Sequence, residues 1–415
     1  MAAIVVDFTD QVTLDTTPVL EGTCNQEFCD IEVTVDVNAV TGGPDDVFTT
    51  KGIGGQWSVA TEPLVRPLYK PFVTSGGTPA ENTYLDICMF GRLANGNLLA
   101  YFRRGSDHAT NDGRIFCADS GDKGDTWSSE RLVYDSPSGF DTRNQSGGVV
   151  ASTGRVVIFY SDYDAVGVDR VDVGMISSTD DSQTFSGATS LLSEFPAAEQ
   201  ISGNVVPFGE MVETSNGLMQ LFYYHGDSWA LFSTDDGETF GNRVDVWTGS
   251  TPLNSIGEPR AVRIDNDRLV LIIRDNVNLN SYRYIKTDDG GATFSAISDP
   301  YPWTDTAMTA ASPMGLYVMR GQVLGCITGR NPDWDVHTCR LGLEDFWERP
   351  YMLWSDQNVT RQDGLYSFTA PNSLDCGYSA ITEIEGSPDT ALISFYDDDG
   401  AVAETSIYMR LFPVV

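Results

Sequence analysis

The sequence predicts an all-β chain assembled from a repeated antiparallel unit, and three observations carry that prediction. The stretch SGDKGDTW (Ser120–Trp127) returns as STDDSQTF (Ser178–Phe185), STDDGETF (Ser233–Phe240) and TDDGGATF (Thr287–Phe294), at intervals of 58, 55 and 54 residues. A turn followed by an apolar strand occurs six times: NGNLLAYF from Asn95, TGRVVIFY from Thr153, NGLMQLFY from Asn216, NDRLVLII from Asn266, RGQVLGCI from Arg320 and DTALISFY from Asp389. Runs with helical periodicity are short and few. An interval of this length fits one small sheet per repeat, so 415 residues make one large repeat architecture rather than several unrelated cores.

In chain order, residues 1–48 alternate apolar and polar side chains in IVVDF, VTLD and IEVTVDV, broken by GGPDD, which predicts a small β appendage outside the repeat. Residues 49–415 hold the repeated units. GGQWSVATEPLV from Gly54 is similar to GDTWSSERLV after the first octapeptide, so it reads as an outer strand preceding the first complete unit. The C-terminal SIYMRLFPVV reads as the strand before such a stretch. Pairing the segment around Trp57 with the last unit would close a six-bladed propeller by both chain ends and leave few free strand edges.

Each octapeptide reads S/T-x-D-x-G/S-x-T-W/F. Its Asp can accept turn N–H groups, its Gly permits positive φ, and its aromatic residue can bury against the sheet, so it is a hairpin clasp that needs no ligand. The last two units lack the clasp, with LGLEDFW near Leu341 as a degenerate remnant in the fifth.

Formal charge is −34, from 59 acidic against 25 basic side chains, and only Lys51, Lys70, Lys123 and Lys286 are lysines. Such a surface repels phosphate backbones and anionic membranes, which argues against nucleic acid as a partner. It suits either a protein of a high-salt environment, where repulsion is screened, or an acidic extracellular or virion protein. No apolar run is long enough to span a membrane as a helix, and the N-terminal MAAIVVDFTD shows no secretory signal. Seven cysteines read as buried thiols, with Cys24 and Cys29 close enough for a local disulfide. His108, His225 and His337 are scattered, so no metal site or cofactor is expected. Asp397-Asp398-Asp399-Gly400 has the oxygen ligands Ca²⁺ uses but reads first as a solvated turn.

The octapeptide resembles the Asp box of sialidases and other six-bladed propellers, and this resemblance covers residues 54–415. It implies a site of three Arg on a carboxylate, a Tyr nucleophile with a neighbouring Glu, and an Asp acid/base. DCGYSAITEI resembles the nucleophile segment, which makes Tyr378 the nucleophile. GEPRAVRIDNDRLVLIIRDN supplies Glu258 as its base and, sixteen residues on, Arg274. Arg340 in HTCRLGL is the candidate third Arg, with Arg330 second to it, and Asp107 in GSDHATNDG is the candidate acid, with Asp112 as its competitor. The first Arg of the family is missing: its segment reads Leu85-Asp86-Ile87-Cys88, so Asp86 puts a negative charge where a carboxylate would be held. Arg103 or Arg104 is a candidate to compensate.

These residues imply a glycan-recognising propeller with an altered pocket, serving cell-surface attachment as a virus or phage receptor-binding or fibre component. Its partners would be a surface glycan or glycoprotein and, through the N-terminal segment, other virion proteins. One alternative is a retaining exo-glycosidase of altered specificity; another is a structural propeller that binds no sugar.

Overall fold

The computed structural model describes most of the chain from residue 84 to residue 413, apart from loops including 251–255, 303–309, 331–335, 362–375 and 399–404. Before residue 84 it describes only two-residue strands. The chain divides into two compact units, Met1–Arg66 and Pro67–Val415. Within the first, Val19–Leu20 pairs antiparallel with Trp57–Ser58, and Val33–Thr34 with Thr49–Thr50. Cys24 and Cys29 lie outside the described residues.

The second unit is all β, a succession of antiparallel four-stranded meanders. The first runs Tyr84–Arg92, Leu98–Gly105, Arg114–Ser120, Arg131–Tyr134. The second runs Asp141–Val149, Val156–Asp164, Asp169–Ser178, Thr189–Ser190. The third is Val206–Thr214, Gly217–Tyr224, Asp227–Ser233, Gly241–Trp247. The fourth is Ile256–Arg263, Leu269–Asp275, Ser281–Thr287, Tyr301–Pro302. The fifth is Gly315–Met319, Gln322–Arg330, Val336–Gly342, Val359–Arg361. The sixth is Cys376–Ile384, Ser387–Asp398 and Thr405–Pro413, whose outer edge takes Lys70–Pro71.

One expectation changes here. The strand on the last meander's edge is Lys70–Pro71, not the segment around Trp57, which pairs with Val19–Leu20 instead. The six turn-and-strand segments are the second strands of their meanders. Their near-continuous apolar runs follow from burial on both faces, as the second and fourth meanders show. In Val156–Asp164, Val156, Ile158 and Tyr160 face the core shared with the first meander, while Val157 and Phe159 face the core shared with the third. In Leu269–Asp275, Leu269, Leu271 and Ile273 pack toward the third meander and Val270 and Ile272 toward the fifth. Each such buried branched or aromatic side chain contributes about 1.5–3 kcal/mol.

The clasps fold as their residue types require, between third and fourth strands. In Ser233–Phe240, Ser233 Oγ donates to Asp235 Oδ1 at 2.7 Å and accepts from Gly237 N at 2.9 Å, while Thr239 N donates to Asp235 Oδ1 at 3.0 Å. The same bonds recur around Asp122, Asp180 and Asp289. The two residues after each Asp have positive φ, as at Asp236 (56°) and Gly237 (78°), and apart from Lys123 these positions hold glycine or a small polar residue. In the fifth meander a short helix, Leu343–Glu348, and a 3₁₀ turn, Pro350–Trp354, replace the clasp; Phe346 and Trp354 bury in its place.

Candidate active site

The first strands of the meanders share one irregularity. Each of five carries a bulge a few residues in: after Asp86, Arg143, Phe208, Gly257 and Gly377. A bulge re-aims one side chain out of the pleat. In the fourth and sixth meanders the re-aimed residues are Glu258, φ 55°, and Tyr378, φ 50°. The other non-glycine residues with positive φ among the described residues sit in turns, apart from Asn242 in an irregularity near the start of the outer strand Gly241–Trp247, so among the described first strands such strain is confined to this pair. Holding a bulky residue there costs on the order of 1 kcal/mol, which surrounding structure must offset.

That structure is visible. Tyr378 Oη donates a hydrogen bond to Glu258 Oε1, and Arg274 Nη1 donates to Glu258 Oε2 at 2.8 Å. Glu258 and Arg274 side chains are 10% and 13% exposed, so the ion pair is largely shielded but reachable. Burial works against the charge of Arg274, yet the Glu258 carboxylate and the nearby Tyr378 hold its pKa above the ordinary value. Ser379 anchors the strained strand: its buried Oγ donates to Cys326 O at 2.6 Å and accepts from Gly315 N at 3.1 Å, both in the fifth meander. Phe208 packs on the Tyr378 ring at 6.0 Å between centroids. Gly257 is required for a separate reason, since a Cβ there would meet Tyr223 Cε2 at 2.7 Å. Tyr223 is the neighbour that sequence reasoning missed. Burial and the adjacent Glu258 and Tyr378 push its hydroxyl well above the usual phenol range, against the opposing pull of Arg170 and Arg274.

The structure therefore brings Tyr378, Glu258 and Arg274 together. It does not bring Arg340 to them. Arg340 pairs with Leu324, six residues before the end of the strand Gln322–Arg330, and is exposed. At about 3.3 Å per residue that is roughly 20 Å from the end corresponding to Arg274. Arg330 ends the second strand of the fifth meander as Arg274 nearly ends that of the fourth. Asp86 is in register with Arg103 in the backbone. Arg103 cannot compensate for a missing surface Arg, because it is fully buried on Asp141, with Nη2 at 2.8 Å from Oδ1. Arg104 is held by Glu130 at 2.9 Å. Asp107 lies on an exposed loop, where its carboxylate accepts His108 N at 2.7 Å and its carbonyl accepts Arg103 Nη2 at 3.1 Å. Asp112 accepts Ser106 N at 3.1 Å; its pKa is lowered by Thr110 and Ser106 in spite of partial burial.

Among the described residues no group of three or more His, Cys, Asp or Glu side chains could hold a metal ion, and no helix is long and apolar enough to cross a membrane. Cys88, Cys117, Cys326 and Cys339 are buried, and burial pushes the Cys88 thiol up to about 12.

A family model for the BNR repeat-like domain matches residues 96–386. The chain belongs to this family. A comparison with curated protein sequences returns no match. Among solved structures, the chain is similar to a protein of unknown function from Dyadobacter fermentans, at a TM-score of 0.62 and 16% identity over 81% of this chain and 96% of that one. It is similar to the NanB sialidase of Streptococcus pneumoniae (TM-score 0.60, 12% identity, 83% and 70% covered). It is also similar to the leech intramolecular trans-sialidase (TM-score 0.60, 12% identity, 89% and 74% covered). At these identities the likeness is one of fold, and function has to come from the site.

Proposed function

We propose that this BNR-family chain is a six-bladed propeller that engages a glycan at Tyr378, Glu258 and Arg274 and cleaves its terminal sugar with retention. Closure into six blades is supported by the first strands, each of which contacts the next, from Tyr84–Arg92 round to Cys376–Ile384 and back. The hydrophobic cores are likewise shared between neighbouring meanders, including the sixth and the first.

One observation carries the catalytic reading: two residues with left-handed backbone, on different meanders, meet in a hydrogen bond from a phenol to a carboxylate. A phenol is a weak nucleophile near neutral pH unless a base takes its proton. In the first step Tyr378 Oη forms a bond to the anomeric carbon as the glycosidic C–O bond breaks. Glu258 takes the phenolic proton, and a carboxylic acid, for which Asp107 is the candidate, protonates the leaving oxygen. Water then displaces Tyr378, with the proton transfers reversed. Arg274 holds Glu258 in place and offers its remaining donors to the sugar.

A second reading, glycan binding without turnover in an attachment protein at a cell or virion surface, is favoured by Asp107. Its hydrogen bonds run to Arg103, His108 and Thr110 and not to the Tyr378 cluster. In that reading the N-terminal residues hold the propeller to a larger assembly. Hydrolysis of fluorogenic exo-glycosides by the purified protein, at low and multimolar salt, separates the two. Turnover abolished by Tyr378→Phe supports the glycosidase, and no turnover by folded protein with glycan binding intact supports attachment.

A further inference from the structure

Beside the Tyr378 cluster, the second meander holds two arginines on one aromatic ring. Arg143 Cζ lies 5.3 Å and Arg170 Cζ 5.8 Å from the Tyr163 ring centroid. All three residues are partly exposed. Arg170 Nη1 donates to the buried Ser161 Oγ at 2.6 Å, which fixes the side chain. Burial, then the neighbouring Arg143, pulls the Arg170 pKa down to about 10. Arg143 Nε lies 3.5 Å from Asp141 Oδ2, while the other oxygen of Asp141 holds the buried Arg103. Two guanidiniums brought together on one ring place two positive charges side by side in a chain of net charge −34.

The position matters as much as the charge. Arg143 is the last paired residue before the bulge of its strand, as Asp86 is in the first meander and Gly257 and Gly377 are next to the cluster residues. The first strands of the first and second meanders are in contact. The Tyr223 hydroxyl lies within electrostatic reach of Arg170 as well as of Glu258, Tyr378 and Arg274, so Arg170 belongs to the surroundings of the same cluster.

We propose that Arg143 and Arg170, clasping Tyr163, form a subsite for an anionic substituent of the glycan, a carboxylate or a sulfate ester, displaced one meander from the position that Asp86 occupies. This rests on the reading that a glycan meets Tyr378, Glu258 and Arg274. Planar guanidiniums held against a ring present paired donors that match either oxyanion, and each such contact is worth roughly ten- to a hundredfold in affinity.

The test is binding of Tyr378→Phe protein to arrayed glycans in matched sets bearing a uronic acid, a sulfate ester or neither. The subsite predicts at least a roughly tenfold preference for a charged member over its neutral counterpart. Arg143→Gln with Arg170→Gln removes that preference and leaves neutral binding unchanged, and the preferred member distinguishes carboxylate from sulfate. Arg143→Lys with Arg170→Lys, which keeps the charge and so the fold, loses part of the preference. Charged glycans bound through Arg274 but indifferent to Arg143 and Arg170, or no charge preference, overturn the subsite alone. A folded protein that binds no arrayed glycan overturns the glycan reading and the subsite with it.

Discussion

Tyr378 donates its phenolic hydrogen to Glu258 across 120 residues of sequence, and both residues carry positive φ inside strand bulges. Two strained backbones meeting in one hydrogen bond mean that neither geometry is incidental, since each bulge aims the side chain that the other needs.

Removing the phenol oxygen tests this pair first. Tyr378→Phe keeps the ring against Phe208 and leaves the melting temperature within a few degrees of the parent, while hydrolysis of any substrate found falls at least about a thousandfold. Glu258→Gln lowers it by roughly a hundred- to ten-thousandfold. Steady-state rates on a fluorogenic glycoside check both, and an active Tyr378→Phe variant overturns the mechanism.

The two candidate arginines should separate. Arg274→Ala leaves the largely buried Glu258 without its ion pair and costs about 3 kcal/mol or more of stability together with most glycan affinity. Arg340→Ala, exposed and at the other end of its meander, changes stability by less than about 0.5 kcal/mol and leaves affinity unchanged. Denaturant unfolding and glycan titration of the two variants make the comparison.

Ser379 is a positioning residue behind Tyr378. Ser379→Ala strands the Gly315 N–H and the Cys326 carbonyl in a buried site, at about 1–3 kcal/mol. Because it frees the strained strand, it should lower kcat more than it raises KM, and Ser379→Thr should restore part of kcat. An unchanged kcat with reduced stability would make the serine structural only.

Asp162 supplies a pH signature of the fold. Burial pushes its carboxyl up to about 6, partly countered by the hydrogen bond from Thr142. With its folded pKa above its unfolded value, the native state binds the extra proton, so stability falls as pH rises from about 4 through about 6. Asp162→Asn removes that dependence, and its advantage over the parent grows by on the order of 2 kcal/mol between pH 4 and pH 7. Unfolding curves at both pH values measure it, and a constant difference would contradict the buried-carboxyl account.

The clasps titrate in the opposite sense. Three hydrogen bonds from Thr239 and Ser233 hold Asp235 down to about 2 despite some burial, so its contribution is present above the unfolded carboxylate pKa and lost as pH falls toward 2. Because the group is mostly exposed, Asp235→Ala should cost only about 1 kcal/mol near neutral pH, read from denaturant midpoints, and should leave glycan binding intact.

Local chemistry was enough for much of this protein. Each Ser/Thr-Asp-Gly/Ser-Thr stretch closes its own turn with bonds spanning four residues, and each second strand is apolar throughout because both its faces are covered. The sequence by itself therefore determined the β class, the clasps and the six repeated strands, and the Gly-Tyr and Gly-Glu segments marked Tyr378 and Glu258. Tertiary structure alone decided what depends on register between distant strands. It put Lys70–Pro71 rather than the Trp57 segment on the last edge, moved Arg340 away from Arg274, buried Arg103 on Asp141, and set Arg143 and Arg170 on Tyr163. A bulge shifts which way every following side chain points, and pairing across meanders leaves no periodic trace in the chain, so these placements come only from the packed sheets.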